Sequence, residues 1–146
     1  MEKFEVPIHV RWADIDQNQH VRHSAYYDYG AHTRIQYFRK VGFDMGKLTE
    51  LNIGPIIFKE ECSFLREIHP NDDLIMNLQK GEMREDVSRW TFHHEIYNQH
   101  GKKCAHISLK GAFMDLTARK LVAPPSELAK ALLQLPEGEP YVYRKL

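Results

Sequence analysis

Hydrophobic residues open the chain on alternate positions. Phe4, Val6, Ile8, Val10 and Trp12 share one face, with Glu5, His9 and Arg11 on the other. That period predicts a half-buried strand running to Trp12. Residues 13–22 are polar, with Asp14, Asp16, Gln17, Asn18 and Gln19 close together, and predict a loop. The period then changes. Tyr26, Tyr29, Thr33, Tyr37 and Val41 recur at spacings of three and four, which predicts a helix from Ser24 to Val41, with Ser24 as N-cap and Gly42 as the stop. Gly30 in its middle costs ~1 kcal/mol against alanine, so something is expected to pack close there. Beyond this helix the period returns to two. Ile56, Phe58, Cys62 and Phe64 form one run; Leu74, Met76 and Leu78 a second; Trp90, Phe92, His94 and Ile96 a third; Ala105, Ile107, Leu109, Gly111 and Phe113 a fourth. Gln99-His100-Gly101 marks a tight turn between the last two runs. Leu128, Leu132 and Leu135 predict a short closing helix from Ser126.

Consecutive strands joined by short turns predict an antiparallel sheet. A strand, a long apolar helix, four strands and a small helix make an α+β layer arrangement. A sheet of five or more strands can curl around a single helix. Its edges would still need covering, which pairing between two copies provides.

Length and composition narrow the class. A chain of 146 residues matches one domain of ~100–200 residues, so residues 1–146 are read as a single unit. Apolar residues make up 42% and charged residues 27%, a globular composition. Twenty basic and twenty acidic side chains cancel. A duplex binder normally carries a basic excess, so no nucleic-acid partner is expected. No apolar run is long enough to span a membrane, and no signal-peptide pattern is present. Cys62 and Cys104 lack CxxC spacing and are read as reduced thiols of a cytoplasmic protein.

Asp14, Asp16, Asn18 and His20 lie just before the predicted helix N-terminus. Backbone N–H groups and the positive end of a helix dipole there can hold a developing oxyanion. A carboxylate beside them can act as nucleophile or base, and an imidazole can exchange protons near neutral pH. The same residues also suit a turn in which the aspartates bond their own backbone. Spacing alone leaves both readings open.

The run Asp16-Gln17-Asn18-Gln19-His20-Val21, followed by Tyr26, Arg34 and Gly42, resembles the D-x-N-x-H-V motif of hotdog-fold thioesterases. The nearest resemblance is to plant-type acyl-ACP thioesterases, and it extends to bacterial acyl-CoA and hydroxybenzoyl-CoA thioesterases. Further pieces follow in order: Gly54-Pro55, Phe64-Leu65-Arg66-Glu67 with Asp72-Asp73-Leu74, Ile96-Tyr97-Asn98 with Gly101, and Phe113 to Arg119 with Pro124. The resemblance implies a hotdog fold, a long central helix wrapped by a curled antiparallel sheet. It implies hydrolysis of an acyl-CoA or acyl-ACP thioester by a homodimer or homotetramer. No cofactor is implied beyond the coenzyme A or phosphopantetheine that belongs to the substrate. Carried over residue by residue, Asp16 attacks the thioester or activates water, Asn18 orients it, His20 assists proton transfer and Glu67 completes the set. Backbone N–H groups near His23 and Ser24 would polarise the carbonyl. Tyr26 and Tyr29 would line the acyl site.

The chain departs from the motif in three places. Arg22-His23 replaces a common Asn-Asn pair, Ala31 replaces an acidic residue, and Ile68 replaces the cysteine of the plant-type enzymes, so no thiol nucleophile is expected.

Arg84 and Arg89 flank a predicted turn and can fork onto coenzyme A phosphates. His93 and His94 point to opposite faces of a strand, and His20 and His23 have no third ligand near in sequence, so no metal is expected. Asp72 and Asp73 follow Pro70-Asn71 and suit a turn. Two other functions stay open. One is a lyase or dehydratase using His32 on the helix. The other is a non-catalytic acyl-binding protein. An intact Asp16, Asn18 and His20 set weighs against both.

Overall fold

The computed structural model describes residues 3–142. In chain order the strands are β1 (Phe4–Ile8), β2 (Ile53–Phe64), β3 (Leu74–Met83), β4 (Arg89–Tyr97), β5 (Lys103–Asp115) and β6 (Lys120–Leu121). The helices are α1 (Ala25–Lys40), α2 (Met45–Glu50) and α3 (Ser126–Leu133). All pairings between these strands are antiparallel, and the sheet runs β1-β3-β4-β5-β2, with β6 on the end of β5. The sheet curls around α1, which is the hotdog arrangement.

The predicted stripe of α1 is the buried one. Tyr26, Tyr29, Thr33 and Tyr37 face the sheet, joined by Ala25, Gly30, Arg34 and Phe38. Full burial of each large side chain contributes roughly 1.5–3 kcal/mol. The helix ends where Gly42 adopts φ 92°, a value that favours glycine. Phe43 N–H donates to the Phe38 carbonyl and Gly42 N–H to that of Arg39, which satisfies the last carbonyls in a Schellman motif. Leu128 and Leu132 of α3 are buried, and the Tyr37 hydroxyl donates to the Ala131 carbonyl at 2.7 Å, so α3 closes the sequence-distant end of the core.

The first strand stops earlier than its alternation predicts. It ends at Ile8, and Trp12 is 93% exposed rather than buried. Residues 12–14 form a 3₁₀ turn, because Arg11 N–H donates back to Asp14 Oδ2 at 3.0 Å and breaks the extended path. The short helix α2 also lies outside the sequence expectation. Asp44 starts it by accepting from Lys47 N–H at 2.8 Å, a cap signal on a run too short to show a period.

Strand β2 is an edge of the sheet, bonded to β5 on one side. It carries Ile57, Phe58 and Phe64 at 46%, 53% and 52% exposure. Long apolar edges of this kind invite pairing with another strand.

Candidate active site

The loop before α1 is held by two aspartates in different ways. Asp14 is fully buried. It accepts from the Arg11 side chain at 2.8 Å and from the Tyr29 hydroxyl at 2.9 Å. Burial pushes its carboxyl up, but the Arg11 and Tyr29 hydrogen bonds outweigh that and hold it below the usual range. Asp14 is therefore an anchor that pins the loop to α1. Asp16 is only partly buried. Its Oδ1 accepts from Asn18 N–H at 2.8 Å and His20 N–H at 3.3 Å. Gln19 turns the chain at φ 64°. The structure shows the turn reading directly, and the residue that makes the turn is also the candidate carboxylate.

A second loop meets this one. Val21 N–H donates to the Ile68 carbonyl at 2.9 Å, and both side chains are buried. That contact brings His20 Nε2 to 3.2 Å from Glu67 Oε2. The Asp16 turn, whose carboxylate takes the Asn18 and His20 backbone N–H groups, therefore adjoins Glu67 through the His20 side chain, in the loop before α1. The Tyr26 ring packs edge-on against Phe64 at 4.9 Å, closing the same end of the sheet.

Other predicted positions have different surroundings. Ser24 occupies the cap position, but its hydroxyl makes no cap bond; it accepts from the Arg22 guanidinium instead. His23 is exposed on the same turn. Arg22 also donates to the Ala13 carbonyl at 3.2 Å and lies 3.6 Å from both Asp14 and Asp28. The arginine that departs from the motif thus clamps the loop from outside. Tyr29 spends its hydroxyl on Asp14, and burial followed by that bond pushes its phenol up. Tyr26 and Tyr29 pack beside the loop rather than along the apolar cavity described below. His32 is exposed.

Arg84 and Arg89 lie at the hairpin between β3 and β4. Arg84 donates weakly to Ser88 Oγ at 3.4 Å, and the Arg89 guanidinium sits 5.5 Å from the Phe58 ring centre. In register, Arg89 faces Ala112, which faces Ile56, whereas the Asp16 loop meets the sheet near Phe64. At ~3.3 Å per residue those two ends of β2 are roughly 25 Å apart. The structure does not bring the arginines to Asp16 within one chain.

An apolar cavity of about 320 Å³ lies at the arginine end, lined among others by Ala31, Ile35, Phe38, Ile57 and Phe92. Arg34 reaches it from α1. Its guanidinium is buried and donates to His94 Nε2 at 2.9 Å. Gly30 makes room: a Cβ there would meet Arg34 at 3.2 Å and the His94 ring at 3.3 Å. This is the close packing that the mid-helix glycine predicts. Since an arginine N–H only donates, His94 Nε2 accepts and its proton sits on Nδ1, donated to the Asn77 carbonyl at 2.7 Å. Burial, then the Arg34 charge, lower His94 to about 3. Burial lowers Arg34 to about 10 against the pull of Glu60. The pairing did not show in the sequence, where Arg34 belongs to the family motif and His94 reads as one alternating strand position.

The thiols are not poised for nucleophilic attack. Burial pushes Cys62 up to about 12 and also raises Cys104, and nucleophilic cysteines need the opposite shift. Asp72 does what its turn context predicts, accepting from His69 N–H at 2.8 Å and from the Gln99 side chain at 3.0 Å. Among the described residues, no helix is long and apolar enough to cross a membrane.

A profile of the thioesterase-like superfamily matches residues 10–132. The chain belongs to that superfamily, and thioester hydrolysis is the general chemistry that membership supports. Solved structures agree on the hotdog fold. A Staphylococcus aureus protein in complex with CoA superposes with TM-score 0.85 at 14% identity, over 99% of this chain and 90% of that one. A 1,4-dihydroxy-2-naphthoyl-CoA thioesterase from Synechocystis gives 0.82 at 16% identity, over 92% and 98%. A gentisyl-coenzyme A thioesterase gives 0.76 at 18% identity, over 85% and 98%. No curated protein matches the chain in sequence.

Proposed function

We propose that the protein is an acyl-CoA thioesterase whose working carboxylate is Asp16. The observation that carries this reading is the meeting of two loops before α1, in which the Asp16 turn held by the Asn18 and His20 N–H groups adjoins Glu67 through the His20 side chain. Asp16 acts as base or nucleophile. In the base route it takes a proton from water as the new C–O bond forms at the thioester carbonyl. Backbone N–H groups near His23 and Ser24, just before α1, stabilise the oxyanion. Collapse then breaks the C–S bond, and the proton returns to sulfur through the His20 side of the site. The products are the free acid and the thiol. The neighbour solved with CoA and the neighbours named as CoA thioesterases favour coenzyme A as carrier over an acyl carrier protein.

The working unit in this reading is at least a homodimer. Two β2 edges paired antiparallel would place one copy's arginine end beside its partner's Asp16 loop, so that cavity, phosphate-binding arginines and carboxylate meet across the interface. Arg84 and Arg89 would then hold coenzyme A phosphates, and the acyl group would enter the 320 Å³ cavity. Light scattering at micromolar concentration should return at least twice the chain mass of 17.2 kDa; the mass of a single chain would overturn the shared site. The reaction itself is tested by thiol release across short, long, branched and aromatic acyl-CoAs, with an acyl-ACP in parallel. Turnover of some acyl-CoAs is expected. Thiol release from none of them, or from the acyl-ACP alone, would overturn the proposal.

A further inference from the structure

Beyond hydrolysis, the two loops that meet at Val21 and Ile68 bring together three groups with the chemistry of a metal site. His20 Nε2 is 3.2 Å and His69 Nε2 3.9 Å from the same oxygen, Glu67 Oε2. All three ligand atoms lie within 4.8 Å of one another. A tetrahedral zinc ion with bonds of ~2.0–2.2 Å separates its ligand atoms by about 3.3–3.6 Å. The first separation already nearly fits, and the others close by rotation of partly or fully exposed side chains. The backbone beneath them is held: Val21 N–H bonds to Ile68 between the two loops, and His69 N–H bonds to Asp72. The two imidazole rings meet edge to face at 5.6 Å, and each presents Nε2 to the carboxylate. The nearly fifty residues between His20 and Glu67 conceal this set from any reading of sequence spacing.

We propose that His20, Glu67 and His69 bind a divalent first-row transition metal such as Zn²⁺, and that the bound ion inhibits hydrolysis. Two imidazoles and one carboxylate are the donor types that suit zinc and leave a fourth position for water. Magnesium and calcium prefer all-oxygen sites and are not expected to bind. Inhibition follows because the ion occupies the Nε2 of His20 and the carboxylate of Glu67, withdrawing both from proton transfer. The inhibition half rests on the proposed function; the binding half does not.

The test uses the untagged full chain, stripped of metal with a chelator. Calorimetric titration with ZnCl₂ should show one strong site per chain in the wild type, and His69→Gln should weaken it by at least about tenfold. MgCl₂ should give no binding heat. His69 is exposed and outside the hydrolytic set, so His69→Gln should fold and keep metal-free hydrolysis within about twofold. Zinc should suppress acyl-CoA hydrolysis by the wild type, reversibly on adding chelator, at concentrations that leave His69→Gln active. Equal zinc affinity in wild type and His69→Gln would overturn the site. Tight binding with hydrolysis unchanged or raised would leave the site standing and overturn the inhibition. Binding in a chain that hydrolyses no thioester would overturn the proposed function alone.

Discussion

Asp16→Asn is expected to lower acyl-CoA turnover by ~10²–10⁴-fold, the range for losing a general base, and by more if Asp16 is the nucleophile. The fold should survive. Asp16 Oδ1 accepts from Asn18 and His20 N–H groups, and an asparagine oxygen can accept the same two bonds. The variant thus removes the charge and leaves the turn. His20→Ala should cost less, because water can replace part of a proton shuttle. Circular dichroism and light scattering identify a folded variant, and thiol release on the best acyl-CoA gives the ratio. A folded Asp16→Asn protein within about threefold of wild type, under ~0.7 kcal/mol of transition-state stabilisation, would remove Asp16 from the chemistry. Asp14 makes a contrasting control. Its carboxylate is buried against Arg11 and Tyr29, so its loss should appear as instability before it appears as lost turnover.

Mild acid should destabilise the fold strongly. His94 is held neutral near 3 by burial and the Arg34 charge, and His93 near 4 by burial and His106. In the unfolded chain each returns to ~6.5. Both folded values are depressed, so below about pH 6.5 the unfolded state binds protons that the native state refuses. The stability these groups contribute is complete above 6.5 and is lost as pH falls towards the folded values. Each pH unit in that window costs ~1.4 kcal/mol per group. Between pH 7.5 and pH 5 the two histidines together therefore remove about 4 kcal/mol. At a fixed protein concentration, the urea midpoint should fall by roughly 2 M on the usual m-values. His94→Gln should flatten this dependence, because a glutamine oxygen can still accept from Arg34 and does not titrate. A wild-type midpoint unchanged across that range would show that the two imidazoles do not carry the acid sensitivity.

The elements themselves were legible because local periodicity carries them. The period-two runs of β3 to β5 and the three-and-four stripe of α1 are dictated by which residues must leave water, whereas the run of β2 leaves Phe58 and Phe64 half exposed on a sheet edge. The stop at Gly42 is dictated by its φ. The errors come where a local bond cancels the period. Trp12 continues the alternation of β1, yet the Arg11–Asp14 bond turns the chain before it can be buried. The run of α2 is six residues long, shorter than two helical turns, so only its Asp44 cap could announce it.

Spacing left two readings open for the loop before α1, where the aspartates, Asn18 and His20 are neighbours in the chain, and it was the resemblance of residues 16–21 to the family motif that singled it out. Their division of labour was decided in three dimensions. Asp14 and Asp16 are equivalent as letters; the Tyr29 hydroxyl, fifteen residues away, makes the first an anchor and leaves the second partly open. Arg22 becomes a clamp only because Ala13, Ser24 and Asp28 fold around it. His94 meets Arg34 across sixty residues, and Glu67 and His69 meet His20 through one backbone bond between loops. Hydrophobic period is a property of neighbours along the chain, so a sequence displays it. A hydrogen-bond partner or an ion-pair partner is a property of register and loop packing, and those exist only once the sheet has closed around the helix.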